Sequence, residues 1–158
     1  HLHLHDPQLI QIVGDVQSGG SKALALPSKL TLEHVAVPEA KKPLAFAHVL
    51  LSTCNPTDRI LVFCASAQTA PRLNSLIAGI GLRSAYITAD TGDQQRREIL
   101  ENFTGEGPES LQVLVGTETV GRGLDAVIDA VVNYDCPTGL AAFVHRAGRT
   151  ARAGRSGR

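Results

Sequence analysis

The chain has 158 residues, 43% of them hydrophobic, which is enough for one domain with a buried core. Fifteen basic residues balance fifteen acidic ones, and only 4% of the residues are aromatic, so base stacking is not expected to dominate any contact with nucleic acid. Three widely spaced cysteines without a CxxC pair argue against a disulfide framework or a zinc site and indicate a reducing, intracellular compartment. No apolar run reaches the length of a membrane span and no signal peptide is evident, so we expect a soluble protein with no membrane partner.

Residues 1–25 are predicted to be a linker or an amino-terminal extension. His1, His3 and His5 alternate with leucine and would share one face of a strand, where they suit a transition metal. No cysteine or carboxylate set nearby completes such a site, and a tag remnant or the frayed start of an upstream segment explains them equally well. The glycine-rich run from Gly14 to Ser21 is typical of a loop. We therefore predict no metal site, and a folded domain over residues 26–158.

Within that domain the predicted elements alternate between strand and helix. Alternating apolar and polar residues predict a first strand over Thr31–Val37. Short apolar runs predict four more strands, and 3.6-residue periodicity predicts four helices, the second of them with Thr69 as its N-cap. The predicted strands cover residues 59–66, 84–88, 111–117 and 130–135, and the predicted helices cover residues 43–53, 69–81, 94–103 and 140–147.

This alternation predicts an α/β fold in which a central, mainly parallel sheet is flanked by helices in three layers. Ligands of such sheets bind at the carboxyl ends of the strands. Polar residues collect at those ends in this sequence, namely Ser66, Asp90, the segment 117–125 and Asp135. We therefore expect the functional site at this edge of the sheet.

The last fourteen residues, HRAGRTARAGRSGR, form an arginine block over residues 145–158. It carries five arginines and no acid, although the whole chain is neutral. Guanidinium groups match phosphate oxygens, and the interspersed glycines allow the backbone to approach a ligand closely. A disordered basic tail is the alternative that composition alone leaves open.

These segments together resemble the carboxyl-terminal RecA-like (helicase C) domain of DEAD-box ATP-dependent RNA helicases. The resemblance runs from about Leu26 to Arg158. ILVFCAS is similar to the family's motif IV, DQQRREILENF to the QxxR element, VLVGTETVGRGLDA to motif V and HRAGRTARAGR to motif VI. The stretches LHDPQLI, LPSKLTLEHVAVP and KPLAFAHVLL also resemble the nucleolar subfamily that assists assembly of the large ribosomal subunit.

The resemblance implies a two-lobe motor in which ATP and Mg²⁺ bind mainly to an amino-terminal lobe and RNA lies across both lobes. No GxxxxGK[ST] string and no Asp-Glu-Ala-Asp string occurs here, so this chain alone is predicted to be inactive. The implied partners are that lobe, the RNA sugar-phosphate backbone and pre-ribosomal proteins, and the implied location is the nucleolus or otherwise the cytoplasm. The alternatives are a DNA helicase lobe and a non-catalytic RNA-binding scaffold domain.

Site roles follow from the same resemblance. Arg149 and Arg152 correspond to arginine fingers that reach the γ-phosphate. His145 is assigned to the catalytic set with these fingers, and Arg146 is assigned to the nucleotide contacts. Both are implied to link this end of the cleft to the partner lobe. A basic residue favoured by the helix dipole is the alternative for His145. The other implied nucleotide contacts are Asp125 on the ribose, with Arg122 and Gly123 shaping the loop.

The implied RNA contacts are Ser66, Arg96, Thr117 and Gly121, although Thr117 also suits a strand-end hydroxyl that caps its own loop. Four features depart from the family pattern: Glu118 replaces an Asp, Gly121 an Ala, Thr88-Ala89 a His-Gly and Asp93 a Gln. An acid facing phosphate is expected to weaken RNA binding. Arg155 and Arg158 lie beyond the matched core of motif VI and are expected to face solvent.

Overall fold

A four-stranded parallel sheet forms the centre of the structure, a computed structural model that describes residues 26, 29–53, 55, 57–121, 124–152 and 154–158. The strands lie in the order β2-β3-β1-β4, and every neighbouring pair is parallel. Their bounds are Ile60–Phe63 for β1, Ser84–Ile87 for β2, Val113–Gly116 for β3 and Ala130–Asn133 for β4. The four strands end level with one another, so the loops that follow them share one edge of the sheet.

The helices lie between the strands, as the sequence predicts. Their bounds are Lys42–Thr53 for α1, Thr69–Gly79 for α2, Asp93–Thr104 for α3 and Leu140–Ala147 for α4, and a short 3-10 turn, Glu39–Lys41, precedes α1. Pro43 lies in the first turn of α1, where its missing N–H costs no helical hydrogen bond. Gly81, with φ of 86°, takes the left-handed conformation that turns the chain away after α2. The predicted α/β class with a helix-flanked parallel sheet is confirmed.

Two hydrophobic clusters occupy the two faces of the sheet. Successive strand residues point to opposite faces, so Ile60 and Val62 join one cluster while Leu61 and Phe63 join the other. The first cluster receives side chains from α1 and α2, and the second receives Phe103 from α3 and residues of the loop after β3. Strands β1 and β3 are fully buried along their length, which explains why each appears in the sequence as a continuous apolar run.

The predicted strand over Thr31–Val37 is wrong. Leu30 forms an isolated parallel bridge with Gly157, and the Thr31 N–H donates to the Gly157 carbonyl, 2.9 Å away. Beyond Thr31 the described chain up to Pro38 has no strand assignment. The alternating pattern predicts which side chains turn inward, but a strand also needs a neighbouring strand to bond, and sequence periodicity does not reveal whether one is present.

Candidate functional site

The loop that follows β3, residues 117–121, brings several predicted site residues together. The Val120 N–H closes it by donating to the Thr117 carbonyl at 2.9 Å, and the Thr117 and Thr119 hydroxyl oxygens lie 3.1 Å apart. Arg96, from α3, donates from Nη2 to the Thr119 carbonyl at 2.8 Å. The predicted RNA contacts Arg96 and Thr117 are therefore held at one place by the fold.

The fourth predicted RNA contact, Gly121, lies at the end of the same loop and is buried. A Cβ added there would lie 3.2 Å from Nε of Arg149, which is tighter than nine in ten real Cβ contacts. The loop after β3 and the first predicted finger are thus in direct contact. This contact joins the predicted RNA-binding loop to the predicted nucleotide-binding arginines.

Arg146, in the last turn of α4, is only 5% exposed and has all three guanidinium nitrogens bonded within the lobe. Nε and Nη2 both approach Oε1 of Glu118, at 2.6 and 2.5 Å. Nη1 donates to Oδ1 of Asn133 at 2.9 Å and to the carbonyl of Asp135 at 3.1 Å. The guanidinium also stacks 4.9 Å from the centre of the Phe63 ring. The nucleotide contact implied for Arg146 stays a prediction, and its role within this lobe is to fasten α4 to β4 and to the loop after β3.

The Glu118 pair changes the interpretation of one departure from the family pattern. Arg146 compensates the negative charge of Glu118 inside the same lobe, so this charge is not free to repel a phosphate that binds nearby. The sequence indicates that such a pair can form, because Glu118 is an acid close to several arginines of motifs V and VI, and carboxylates pair readily with guanidinium groups. It did not show which of the arginines that partner is.

Arg149 has the environment expected of a group that binds an anion. Its Nε is buried and has no hydrogen-bond partner among the described residues. Burial lowers the pKa of Arg149, the nearby positive charge of Arg152 lowers that pKa further, and the Glu118 charge partly offsets both. Nη2 lies 2.5 Å from Nε2 of His145, so the predicted catalytic pair is in contact. An anion placed here would relieve the repulsion between the two arginines.

Arg152 is exposed and is anchored by its own backbone turn, since its Nε donates to the Gly148 carbonyl at 2.6 Å. Within the described part of the chain, no carboxylate lies within 4 Å of the guanidinium nitrogens of Arg149 or Arg152. Two guanidinium groups without acidic partners fit the phosphates of a nucleotide. The carboxylate of Asp125, four residues after Gly121, is exposed and fits a ribose hydroxyl.

Arg122 and Gly123, predicted to shape the nucleotide loop, lie outside the described residues, as do the amino-terminal histidines. In the residues that are described, no group of three His, Cys, Asp or Glu side chains is arranged to hold a metal ion.

Ser66 lies in the loop between β1 and α2. Its hydroxyl accepts the Thr69 N–H at 3.2 Å and lies 2.8 Å from the Thr69 hydroxyl. The prediction that Thr69 is the N-cap of α2 is therefore wrong, because Thr69 is the first helical residue and the Ser66 side chain satisfies its N–H. The predicted RNA contact at Ser66 stays a prediction.

An ion pair that the sequence did not predict, between Lys42 and Asp135, fixes the same edge of the sheet. Oδ1 of Asp135, just after β4, accepts from Nζ of Lys42 at 2.6 Å, and Oδ2 accepts the Ala65 N–H at 2.8 Å. Burial raises the pKa of Asp135, but the hydrogen bonds from Lys42 and Ala65 outweigh it, so the pKa lies below its ordinary value. Ninety-three residues separate the two charges in sequence, and no local pattern predicts their contact.

The helix-flanked parallel sheet and the arginine-rich segment that follows α4 define a RecA-like α/β lobe. The chain belongs to the helicase C-terminal domain family. A family model described as "Helicase conserved C-terminal domain" matches residues 41–154.

Two curated relatives cover almost the whole chain. It is 34% identical over 163 residues to "ATP-dependent RNA helicase DBP6" of Yarrowia lipolytica, covering 99% of this chain and 25% of the relative. It is 36% identical over 165 residues to "ATP-dependent RNA helicase DDX51" of Homo sapiens, covering 99% of this chain and 24% of the relative. The chain thus spans about a quarter of the length of these curated relatives.

Solved structures of DEAD-box proteins have the same fold. The Escherichia coli DEAD-box protein SrmB, solved bound to regulator of ribonuclease activity A, superposes with a TM-score of 0.67 and 28% identity, over 77% of this chain and 69% of that one. A DEAD box protein from Methanococcus jannaschii gives a TM-score of 0.66 and 30% identity, over 77% of this chain and 32% of that one. The predicted recognition of a DEAD-box carboxyl-terminal domain is confirmed. No helix in the described part of the chain is long and apolar enough to cross a membrane.

Proposed function

We propose that this chain is the carboxyl-terminal lobe of an RNA-dependent ATPase that destabilises RNA duplexes or remodels ribonucleoprotein. Residues 1–25 serve as a linker or extension and residues 26–158 as the lobe. ATP, with Mg²⁺, binds between this lobe and an amino-terminal RecA-like lobe that supplies the phosphate-binding loop. The similarity to relatives named ATP-dependent RNA helicases supports the proposal.

The observation that carries the proposal is the pair Arg149 and Arg152. Both guanidinium groups lack carboxylate partners in the described chain, and Nε of Arg149 is buried and unbonded beside Gly121, in the loop after β3. A bound ATP supplies a γ-phosphoryl group whose oxygens carry spread negative charge in a loose transition state. Arg149 and Arg152 hold positive charge ready for those oxygens, and His145 holds Arg149 in place. Asp125 accepts from the ribose, with Arg122, Gly123 and Arg146 as further nucleotide contacts.

RNA is proposed to bind through its sugar-phosphate backbone at Ser66, Arg96, Thr117 and Gly121. Support comes from the structure around the loop after β3, where Arg96, Thr117 and Gly121 are held close together. Contacts of this kind position a strand without reading its bases. Binding by this lobe alone is therefore expected to weaken as salt is raised, and salt-independent binding would contradict phosphate contact.

The physiological setting is proposed to be assembly of the large ribosomal subunit, in the nucleolus and with pre-ribosomal proteins as partners. The sequence resemblance to that subfamily supports this, together with similarity to DBP6 and DDX51 over 99% of the chain. Co-sedimentation of the full-length protein with pre-ribosomal particles tests the setting, and its exclusive presence in cytoplasmic fractions would refute it.

The test of the enzyme proposal is ATP hydrolysis, with and without single-stranded RNA, by the two-lobe protein that carries this chain. We expect RNA-stimulated turnover that falls by about 10³ or more in Arg149→Ala, while RNA binding is kept. Arg155→Ala is the matched control, because it removes the same charge from an exposed position of the arginine block. A comparable loss in both variants would indicate general phosphate attraction and not a finger.

The same assay separates the motor from a scaffold. A two-lobe protein that binds RNA but shows no turnover is a non-catalytic RNA-binding domain, and the enzyme proposal then fails. The lobe alone is expected to show no hydrolysis, since it carries the arginines but no phosphate-binding loop.

A further inference from the structure

The turn that separates the two proposed fingers is held in an unusual conformation. It consists of Thr150 and Ala151, which lie between Arg149 and Arg152 in sequence. Thr150 is 1% exposed, and its hydroxyl donates to the Ile128 carbonyl at 2.7 Å. Ala151 has φ of 53°, in the left-handed region that residues with a Cβ seldom occupy. Surrounding structure must therefore hold this turn, because its own backbone preference opposes the conformation.

Gly157 supplies that support from one side. A Cβ added at Gly157 would lie closer than 3.0 Å to both Oγ1 of Thr150 and the backbone nitrogen of Ala151, a separation that real Cβ atoms essentially never show. Because one of these contacts is with backbone, it cannot be relieved by a side-chain rotation. Only a residue without a Cβ therefore fits at position 157, against the Thr150–Ala151 turn.

Gly157 is itself fixed from the opposite side by backbone hydrogen bonds. Its N–H donates to the Lys29 carbonyl at 3.2 Å, and its carbonyl accepts the Thr31 N–H at 2.9 Å. The N–H of the next residue, Arg158, donates at 3.1 Å to the carbonyl of Asp129, which directly precedes β4. Nζ of Lys29 reaches back to the Gly154 carbonyl at 2.8 Å. The segment that enters the lobe, Lys29–Thr31, therefore contacts the finger turn through one glycine.

We propose that Gly157 is a positioning residue: it presses the Thr150–Ala151 turn into place, and so makes the placement of Arg149 and Arg152 depend on the entering segment Lys29–Thr31. This inference rests on the proposed function of the two arginines. It adds a structural link between the segment Lys29–Thr31 and the guanidinium groups that are proposed to contact the nucleotide. Gly157 touches neither nucleotide nor RNA in this role.

The first test uses this chain alone. Nitrogen-proton NMR signals of the arginine Nε–H groups report the surroundings of each guanidinium. In Gly157→Ala we expect the Arg149 and Arg152 signals to shift, while the same signals stay unchanged in Gly79→Ala, where a Cβ meets nothing within 4 Å. A folded Gly157→Ala chain in which the Arg149 and Arg152 signals do not move overturns the inference.

The second test uses the two-lobe protein. Gly157→Ala is expected to lower kcat of RNA-stimulated ATP hydrolysis at least tenfold, while KM for ATP and RNA affinity stay within about threefold, because misplaced fingers lose contacts made mainly in the transition state. If KM and RNA affinity worsen by the same factor with kcat unchanged, the inference fails. If Arg149→Ala leaves ATP turnover intact, the proposed function fails. This outcome is distinguishable from a failure of the present inference, because the Arg149→Ala protein keeps Gly157.

A second variant keeps the inference testable if Gly157→Ala does not fold. Thr150→Ala removes the hydroxyl that bonds to Ile128 and against which Gly157 packs, and it adds no bulk. It is expected to shift the same two arginine signals and to lower kcat in the same direction. Unchanged signals together with unchanged kcat in a folded Thr150→Ala protein refute the positioning role.

Discussion

Replacing Arg146 by alanine removes the most heavily bonded side chain of the site. Its guanidinium joins the loop after β3 to β4 through Glu118, Asn133 and the Asp135 carbonyl, and it packs on the Phe63 ring. Once it is gone, two partly buried acceptors lose their donor and the ion pair is lost.

The magnitude follows from these contacts. The bonds to Asn133 and Asp135 are each worth about 1 kcal/mol, because acceptors that stay away from water lose their donor. The Glu118 carboxylate is 45% exposed and water screens it, so the pair contributes about 1 kcal/mol and not the larger value of a fully buried pair. The sum is about 3 kcal/mol, a large share of the roughly 5–15 kcal/mol that holds such a domain folded. Since 1 kcal/mol shifts Tm by about 2–4 °C at this size, we expect Tm to fall by about 6–12 °C.

Urea unfolding of this chain, followed by circular dichroism, measures the free energy of unfolding directly. Arg97→Ala is the matched control, since Arg97 is exposed and has one long hydrogen bond, from its Nε to the Asp93 carbonyl at 3.3 Å. That change is expected to stay within about 0.5 kcal/mol of the parent chain. Should Arg146→Ala lose no more stability than Arg97→Ala, the assignment of Arg146 as the fastening residue is wrong.

Two further predictions concern the same edge of the sheet. Gly116→Ala places a Cβ 2.5 Å from the Ile87 carbonyl oxygen and 2.6 Å from Cβ of Val120, so we expect the free energy of unfolding in urea to fall by about 1–3 kcal/mol. A variant as stable as the parent would show that the end of β3 is not packed as described. Asp135→Asn removes a carboxylate whose pKa is lowered in the folded state, so its stabilisation is present above the unfolded-state pKa of about 4 and is lost as pH falls through the folded-state pKa. The difference in unfolding free energy between parent and variant should therefore be largest near pH 7 and should disappear on acidification. A difference that does not depend on pH contradicts this.

The sequence predicted the helices and the four sheet strands because each carries a local signal. β1 and β3 are continuous apolar runs buried on both faces, and α2 is bounded by Pro71 and Gly81. The predicted strand at Thr31–Val37 failed because pairing is a property of two segments, and the backbone contacts with Gly157 come from Lys29, Leu30 and Thr31, at the very start of the predicted strand or before it. Local periodicity carries no information about a partner more than a hundred residues away.

The candidate site divides in the same way. Motif spacing alone identified the arginine block and the loop after β3, because the residue types there suit phosphate whatever their exact placement. The family resemblance gave Arg149 and Arg146 different roles, a finger and a nucleotide contact, but it did not show which of them is paired with an acid inside the lobe. Tertiary packing made that distinction by burying Arg146 against Glu118 and Phe63 and by leaving Arg149 without a carboxylate in the described chain.

By itself, then, the sequence determined the class of fold, the family and the chemistry that its arginines offer. The tertiary structure decided which charges are neutralised internally and which stay available, through the pairing of Lys42 with Asp135 and of Arg146 with Glu118. It also decided that Gly157 packs against the turn between Arg149 and Arg152, the two proposed fingers. The physical reason is that charge pairing and close backbone approach depend on distances between segments that are remote in sequence, and only the folded chain sets those distances.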